Sequence, residues 1–271
     1  MHRLSIITIN YNNVEGLRNT LASVANQTDK NFEYIVVDGG STDGSVDVIR
    51  EYQNIIDIWV SEPDKGIYNA MNKGSRLASG SYVTFVNSGD CLADSNVMAD
   101  VLAQIGTINK DDLIFGKVLD VFDGGTNIYS FSHDLTLMSL HYGVVNHSGC
   151  FIKRELQLAH PYREDLKICS DRQFFIEAII FDNCSYSHID RIITHFDKTG
   201  ISSSQVSDKL IDEENEKILA SVVPPRIIAD YKKTNLLLSE LTSKMTNYYG
   251  FSKMMCHINS AALKLYSFFR K

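Results

Sequence analysis

Tyr34-Ile35-Val36-Val37-Asp38-Gly39-Gly40-Ser41-Thr42-Asp43-Gly44 joins a β-branched run to a loop of small residues and carboxylates. The arrangement recurs twice. Residues 57–60 lead into Glu62-Pro63-Asp64-Lys65-Gly66-Ile67-Tyr68-Asn69, and Tyr82-Val83-Thr84-Phe85-Val86 leads into Asn87-Ser88-Gly89-Asp90. Short continuous apolar runs are the pattern of strands buried on both faces of a parallel sheet, and the carboxyl ends of such strands are where open α/β sheets take ligands. Three ends bearing small residues, acids and one lysine point to a polar, phosphate-bearing molecule.

Outward from these loops, residues 4–9 read as a strand. Val14, Leu17, Leu21 and Val24 then recur at helical spacing, with Asn12 or Asn13 as the cap. The pattern continues with strand 33–37, helix 45–53, strand 57–60, helix 66–78 and strand 81–86. Such alternation implies right-handed crossovers and an α/β fold with a mainly parallel sheet covered on both faces. After Asp94 the rhythm changes. A helix near 95–105 precedes a strand at 112–118, a hairpin through Asp123-Gly124-Gly125 to 127–131, a strand at 148–152, a helix at 170–181 and strands at 184–188 and 190–195. Residues 206–221 read as helix, Pro224-Pro225 as a break, and 226–271 as largely helical. The expected organisation is a domain at 1–205, in halves 1–94 and 95–205, followed by a helical extension at 206–271.

Bulk properties narrow the function classes. The chain has 271 residues, 44% hydrophobic and 22% charged, as in an ordinary soluble globular protein, and its net charge of −7 argues against nucleic acid as a partner. From Arg226 onward, however, eight Lys/Arg face only Asp230 and Glu240, a local net charge of +6. The five scattered cysteines (91, 150, 169, 184, 256) form no C-x-x-C pair, which suits free thiols in a reducing cytosol. Met1-His2-Arg3-Leu4 enters a strand directly, leaving no room for a signal peptide, and no apolar run reaches the ~18 residues that span a bilayer.

Taken in order and spacing, several motifs resemble those of the family 2 glycosyltransferases, whose catalytic domain has the GT-A fold. They are Ser5-Ile6-Ile7-Thr8-Ile9-Asn10-Tyr11-Asn12, Val36-Val37-Asp38-Gly39-Gly40-Ser41-Thr42-Asp43-Gly44 and Asp64-Lys65-Gly66-Ile67-Tyr68-Asn69-Ala70-Met71-Asn72-Lys73-Gly74. Val86-Asn87-Ser88-Gly89-Asp90, His147-Ser148-Gly149, Ser170-Asp171 and Gly200-Ile201-Ser202-Ser203 follow, so the likeness covers residues 3 to 202. It implies transfer of a sugar from a nucleoside-diphosphate donor to an acceptor hydroxyl with inversion, residues 1–94 forming the nucleotide-binding half and 95–205 the acceptor-binding half.

The resemblance distributes roles over the residues. Thr8, Asn10, Tyr11 and Asp38 would meet the nucleotide, Asp38 as an acceptor for base or ribose, although an acid before Gly39-Gly40 also starts a turn. Asp43 reads as a helix cap. Many relatives carry two adjacent acids where this chain has Asp38-Gly39. Lys65, at a helix start, suits a phosphate or sugar oxygen, and Asn72 and Ser88 complete the donor side. Relatives commonly hold Mg²⁺ or Mn²⁺ with Asp-x-Asp at the third loop. Here Asn87 and Gly89 leave Asp90 as the main protein ligand for a divalent cation. The base that deprotonates the acceptor sits in a Glu-Asp pair in the family. Its equivalent is Ser170-Asp171, so Asp171 is the expected base, with a helix-start carboxylate as its alternative role. His147 lines the acceptor side or serves structurally, and Gly200–Ser203 suits a flap over the donor.

The last segment interleaves Phe251, Met254, Met255, Ile258, Tyr266, Phe268 and Phe269 with Lys253, Lys264, Arg270 and Lys271. Such a face either lies in an anionic membrane surface or packs back on protein, and the former suits a lipid-linked saccharide acceptor. The expected location is cytoplasmic, peripheral on the inner face of the membrane. Two other functions compete. A sugar nucleotidyltransferase would carry a glycine- and basic-rich loop after the first strand, where Asn10-Tyr11-Asn12-Asn13 stands. A noncatalytic nucleotide-sugar scaffold would fit the incomplete acid pair but not the retained Asp171.

Overall fold

Leu4–Asn10 carries no charge and forms β1, buried along its whole length. The computed structural model describes residues 3–108, 111–122, 124–131, 134–143, 146–198, 208–230, 232–234, 236–237 and 239–241. β1 pairs in parallel with β2 (Glu33–Asp38) on one side and β4 (Tyr82–Phe85) on the other, and β2 pairs in parallel with β3 (Ile58–Ser61). β2 and β4 are buried throughout, whereas the edge strand β3 alternates in exposure. The first half thus follows the strand–helix alternation of the sequence.

Helices α1 (Val14–Ala25), α2 (Ser45–Glu51) and α3 (Ile67–Leu77) form the crossovers. Asn13 is the α1 cap, its Oδ1 accepting from Gly16 N at 3.1 Å. Asp43 accepts from Ser45 N at 3.0 Å and from Val14 N at 2.9 Å, so one carboxylate ties the starts of α1 and α2. Leu17, Leu21 and Val24 of α1 bury against Leu4, Ile6, Tyr34 and Val36, each large side chain contributing about 1.5–3 kcal/mol. On α3, Gly74 permits close approach to the sheet: a Cβ there would stand 2.4 Å from Ile7 Cγ2.

The second half contains β5 (Cys91–Leu92), α4 (Val97–Ile108), β6 (Leu113–Phe122), β7 (Gly125–Tyr129), α5 (Leu137–Tyr142), a 3-10 turn at His147–Gly149 and β8 (Cys150–Lys153). It continues with α6 (Arg154–Ala159), α7 (Ser170–Phe175), β9 (Tyr186–Asp197) and α8 (Asp208–Val222). Sheet order is β3-β2-β1-β4-β8-β6-β9-β5, with β7 on β6. β8 is antiparallel to both β4 and β6, so the sheet is mixed, although β6 and β9 run in the direction of β1–β4.

Two local expectations change, and one strand was not anticipated. The strands expected at 184–188 and 190–195 are one strand, β9, whose pairing with β6 shifts register around Lys117 instead of breaking. The helix expected at 170–181 is α-helical only to Phe175 and winds as a π-helix over Ile176–Phe181. β5 is too short to leave a periodic signal.

The chain divides into two compact units, Met1–Glu216 and Lys217–Lys271. In the second, helix resumes after Pro224, and Ile227, Leu236, Leu237 and Leu241 are exposed. No helix among the described residues is long and apolar enough to cross a membrane. Within the first unit, Glu214 of α8 is buried and accepts from the backbone N–H groups of Lys167 (2.6 Å), Ile168 (3.1 Å) and Cys169 (2.9 Å), just ahead of α7. Removing that carboxylate strands three donors. Glu214→Ala should therefore lower unfolding free energy by about 1–3 kcal/mol in urea titrations; a change under about 0.5 kcal/mol would show that the segment holds itself.

Candidate active site

Parallel pairing sets Asn10, Asp38 and Ser61 side by side at the carboxyl ends of β1, β2 and β3. Asp38 is fully buried and organises the loop that follows. Its Oδ1 accepts from Asn10 Nδ2 (2.8 Å) and Ser41 Oγ (2.5 Å). Its Oδ2 accepts from Gly40 N (3.2 Å), Ser41 N (2.9 Å) and Ser61 Oγ (2.7 Å). Burial opposes the charged form, yet the hydrogen bonds from Ser41, Ser61 and Asn10 outweigh it and hold Asp38 below the usual carboxylate range. A base or ribose meeting Asp38 would share its oxygens with these donors or displace one of them.

Thr8 is also engaged within the protein. It is buried, with its hydroxyl donating to Val86 O at 2.7 Å and sharing a hydrogen bond with Tyr34 Oη, so it ties β1 to the chain beyond β4 below the loops. Asn10 Oδ1, by contrast, is buried without a hydrogen-bond partner. Tyr11 is 62% exposed, and its ring borders Gly39, where an added Cβ would meet Tyr11 Cδ2 at 3.1 Å and Asp64 Oδ2 at 2.5 Å. Asp64 therefore places a carboxylate in the space that a side chain at position 39 would occupy.

Beyond β4, Asn87–Asp90 is a tight turn closed by Asp90 N to Asn87 O at 2.9 Å, with Gly89 at φ +107° in its third position. Ser88 N donates to Ile9 O, and Ser88 O accepts from Asn13 Nδ2, fastening the turn to the end of β1. Asp90 is 4% exposed, and burial pushes its carboxyl up to about 7. Its Oδ1 accepts from Asp197 N at 3.1 Å. A Cβ at Gly89 would stand 3.5 Å from Asp197 Oδ2, so the end of β9 supplies a second carboxylate beside the turn. Asp197 carried no sequence signal because it arrives from more than a hundred residues away. Among the described residues no group of three His, Cys, Asp or Glu is arranged to hold a metal.

The α3 motif turns toward the protein. Asn72 Oδ1 accepts from Tyr162 N (2.9 Å) while its Nδ2 donates to Tyr162 O (2.8 Å), closing a two-way pair with backbone ninety residues away. The Asn72 amide thus docks the 162–170 segment. Asn69 and Asn72 both donate to Glu164, which they hold below its ordinary pKa, and Tyr68 Oη donates to Ile168 O and accepts from Ser170 N at 3.1 Å. Lys65 is exposed at the start of this helix.

That docked segment delivers Asp171. It is 8% exposed, with Oδ1 accepting from Arg172 N at 2.8 Å and Oδ2 lying 3.3 Å from His147 Nδ1. His147 Nε2 in turn lies 3.0 Å from Asn87 Nδ2. Because β8 runs antiparallel to β4, its leading turn at His147 stands beside the chain leaving β4, which brings Asp171 to the edge that carries Asn10, Asp38 and the 87–90 turn. Asp165, a nearby acid, is paired with Arg163 at 2.7 Å. The expected flap at Gly200–Ser203 lies outside the described residues.

The family description Glycosyl transferase family 2 matches residues 5–157. The chain belongs to this family. As a family 2 glycosyltransferase it is 30% identical, over 76% of its length and 80% of the relative's, to a PGL/p-HBAD biosynthesis glycosyltransferase of Mycobacterium bovis. It is also 30% identical, over 74% and 77%, to an uncharacterized glycosyltransferase of Mycobacterium tuberculosis. Among solved structures, S. aureus TarS 1-349 in complex with UDP-GlcNAc aligns with a TM-score of 0.66 at 23% identity, covering 81% of this chain and 64% of that one. The chain thus spans under two thirds of that protein. A mannosyltransferase of Pyrobaculum calidifontis in complex with GDP-Man and Mn2+ aligns with a TM-score of 0.52 at 15% identity, over 72% and 56%. These structures share the GT-A fold with this glycosyltransferase.

The depressed pKa of Asp38 has a definite pH signature. Its stabilisation is fully present above the unfolded value of about 3.9 and is lost as pH falls through the lower native value. Asp38→Asn should therefore destabilise the protein by about 1–3 kcal/mol at pH 7, with the gap to wild type narrowing below about pH 4 in urea titrations. A gap independent of pH would contradict an ionised, multiply hydrogen-bonded Asp38.

Proposed function

We propose that this glycosyltransferase moves a sugar from a nucleoside-diphosphate donor to an acceptor hydroxyl with inversion, using Asp171 as general base. The observation that carries the reading is the placement of a buried carboxylate at the start of α7, one histidine away from the turn at the end of β4. The acceptor O–H gives its proton to Asp171 as its oxygen bonds to the anomeric carbon. The bond from that carbon to the diphosphate oxygen breaks in the same step, leaving the electron pair on the nucleoside diphosphate. One displacement inverts the configuration and needs one base.

A nucleotide-sugar donor is supported by the solved relatives, one in complex with UDP-GlcNAc and another with GDP-Man. The unpartnered Asn10 Oδ1 is a ready acceptor for a base N–H, with Tyr11 exposed beside it as a stacking surface. Ser88 and the exposed Lys65 serve the phosphates or sugar. Asp90 and Asp197 offer the hard oxygen donors that Mg²⁺ or Mn²⁺ prefers, and would hold it. When bound, the cation neutralises charge growing on the departing diphosphate. His147 borders the acceptor side. We assign the acceptor as a saccharide or lipid-linked saccharide in surface polysaccharide synthesis, on the cytoplasmic face of the membrane. The basic composition after Arg226 favours peripheral contact there, while residues 251–271 lie outside the described residues.

A panel of nucleotide sugars, scored by thermal shift with and without Mn²⁺, finds the donor. With that donor, Asp171→Asn should lower the transfer rate by about 10²–10⁴-fold and keep the thermal shift; wild-type turnover or loss of donor binding would overturn the base assignment. Asp90→Asn and Asp197→Asn should each shrink the Mn²⁺-dependent part of the shift, and an unaltered cation response in both would remove them as ligands.

A further inference from the structure

Asn87 opens the turn after β4, and its side chain reaches across to the histidine beside Asp171. Its Nδ2 meets His147 Nε2 at 3.0 Å, while His147 Nδ1 meets Asp171 Oδ2 at 3.3 Å. With the amide nitrogen as donor, Nε2 accepts, and a singly protonated ring then carries its proton on Nδ1, directed at the carboxylate. The opposite amide orientation would make Nε2 a donor, leaving Nδ1 and Asp171 as two facing acceptors unless the ring were doubly protonated. The His147 and Asp171 side chains are each 11% exposed, and Phe85 meets the imidazole edge-on with centroids 6.1 Å apart.

We propose that Asn87 and His147 form a positioning relay, which runs from the turn after β4 and holds the Asp171 carboxylate. The inference rests on Asp171 being the base. An aspartate at position 87 would set carboxylates against both ring nitrogens and favour imidazolium. Its charge would stabilise ionised Asp171 and weaken it as a proton acceptor. The other titratable groups acting on this pair are Asp90 next to the turn, Cys150 on β8, Tyr129 on β7, Cys169 ahead of α7, Tyr68 on α3 and Tyr162. Burial raises the pKa of these thiols and phenols and of the Asp90 carboxyl.

The test combines ¹⁵N NMR of the histidine rings with kinetics on the full chain, using the donor found by thermal shift. Wild type should show His147 as the Nδ1–H tautomer at pH 7.5, and Asn87→Asp should raise its pKa by at least about one unit and move the acid limb of the kcat profile to higher pH. His147→Ala should lower kcat by about 10–100-fold with donor KM nearly unchanged, and His147→Asn, which keeps a donor at the Nδ1 position, should recover most of that loss. A wild-type Nε2–H tautomer, an unmoved His147 pKa in Asn87→Asp, or unchanged kcat in His147→Ala would each overturn the relay. So would a His147→Asn variant no better than His147→Ala at equal melting temperature. The NMR arm on wild type and Asn87→Asp decides the matter if His147→Ala fails to fold. Activity in Asp171→Asn reports separately on the base, so the two readings fail independently.

Discussion

One side chain fixes the geometry on which the site depends. Asn72 satisfies both the N–H and the C=O of Tyr162, so a helix of the first half reads the backbone of the second as a strand neighbour would. Neither group of Tyr162 could be left unpaired in that buried position without a cost of about 1–3 kcal/mol. Around this pair, Tyr68 bridges Ile168 and Ser170, and Glu214 closes the far side of the same segment. Clamped from both sides, residues 162–170 have little freedom, and Asp171 inherits that rigidity.

The chemistry follows from what this scaffold brings to one edge of the sheet. Asp38, Thr8 and Asn72 hydrogen-bond within the protein, shaping loops and docking segments. Beside them stand the buried Asn10 Oδ1, the exposed Tyr11 ring, the Asp90–Asp197 pair and Asp171. The burial that raises Asp90 to about 7 has a natural counterpart in a cation, which would return the group to its charged form. The glycine of the 87–90 turn follows from its φ of +107°, and Asp197 of β9 lies alongside it.

Much of the architecture was legible because parallel strands buried on both faces must be continuously apolar, and β1, β2 and β4 are. Glycosyl transfer was legible because motif order carried it. The direction in which a polar residue faces was not. Asn72 sits in a run that signals a donor site, but its partner is Tyr162, and no local pattern announces a contact ninety residues distant. Asp197 and Glu214 were invisible for the same reason, lying outside every motif on elements whose place is set only by the sheet. Lys117 shows the limit within a strand: the bulge there lets β9 run unbroken where the sequence pattern implied two strands.

The central claim is that one sheet edge holds the activated sugar where Asp171 can reach the incoming hydroxyl. A crystal structure of the full chain with its nucleoside diphosphate and Mn²⁺ tests it most directly. The account predicts a base at Asn10 and Tyr11, phosphates over the 87–90 turn, cation density at Asp90 and Asp197, and Asp171 across an open gap from the leaving phosphate. A nucleotide bound away from the carboxyl ends of β1, β2 and β4, or an Asp171 walled off from it by protein, would contradict the account.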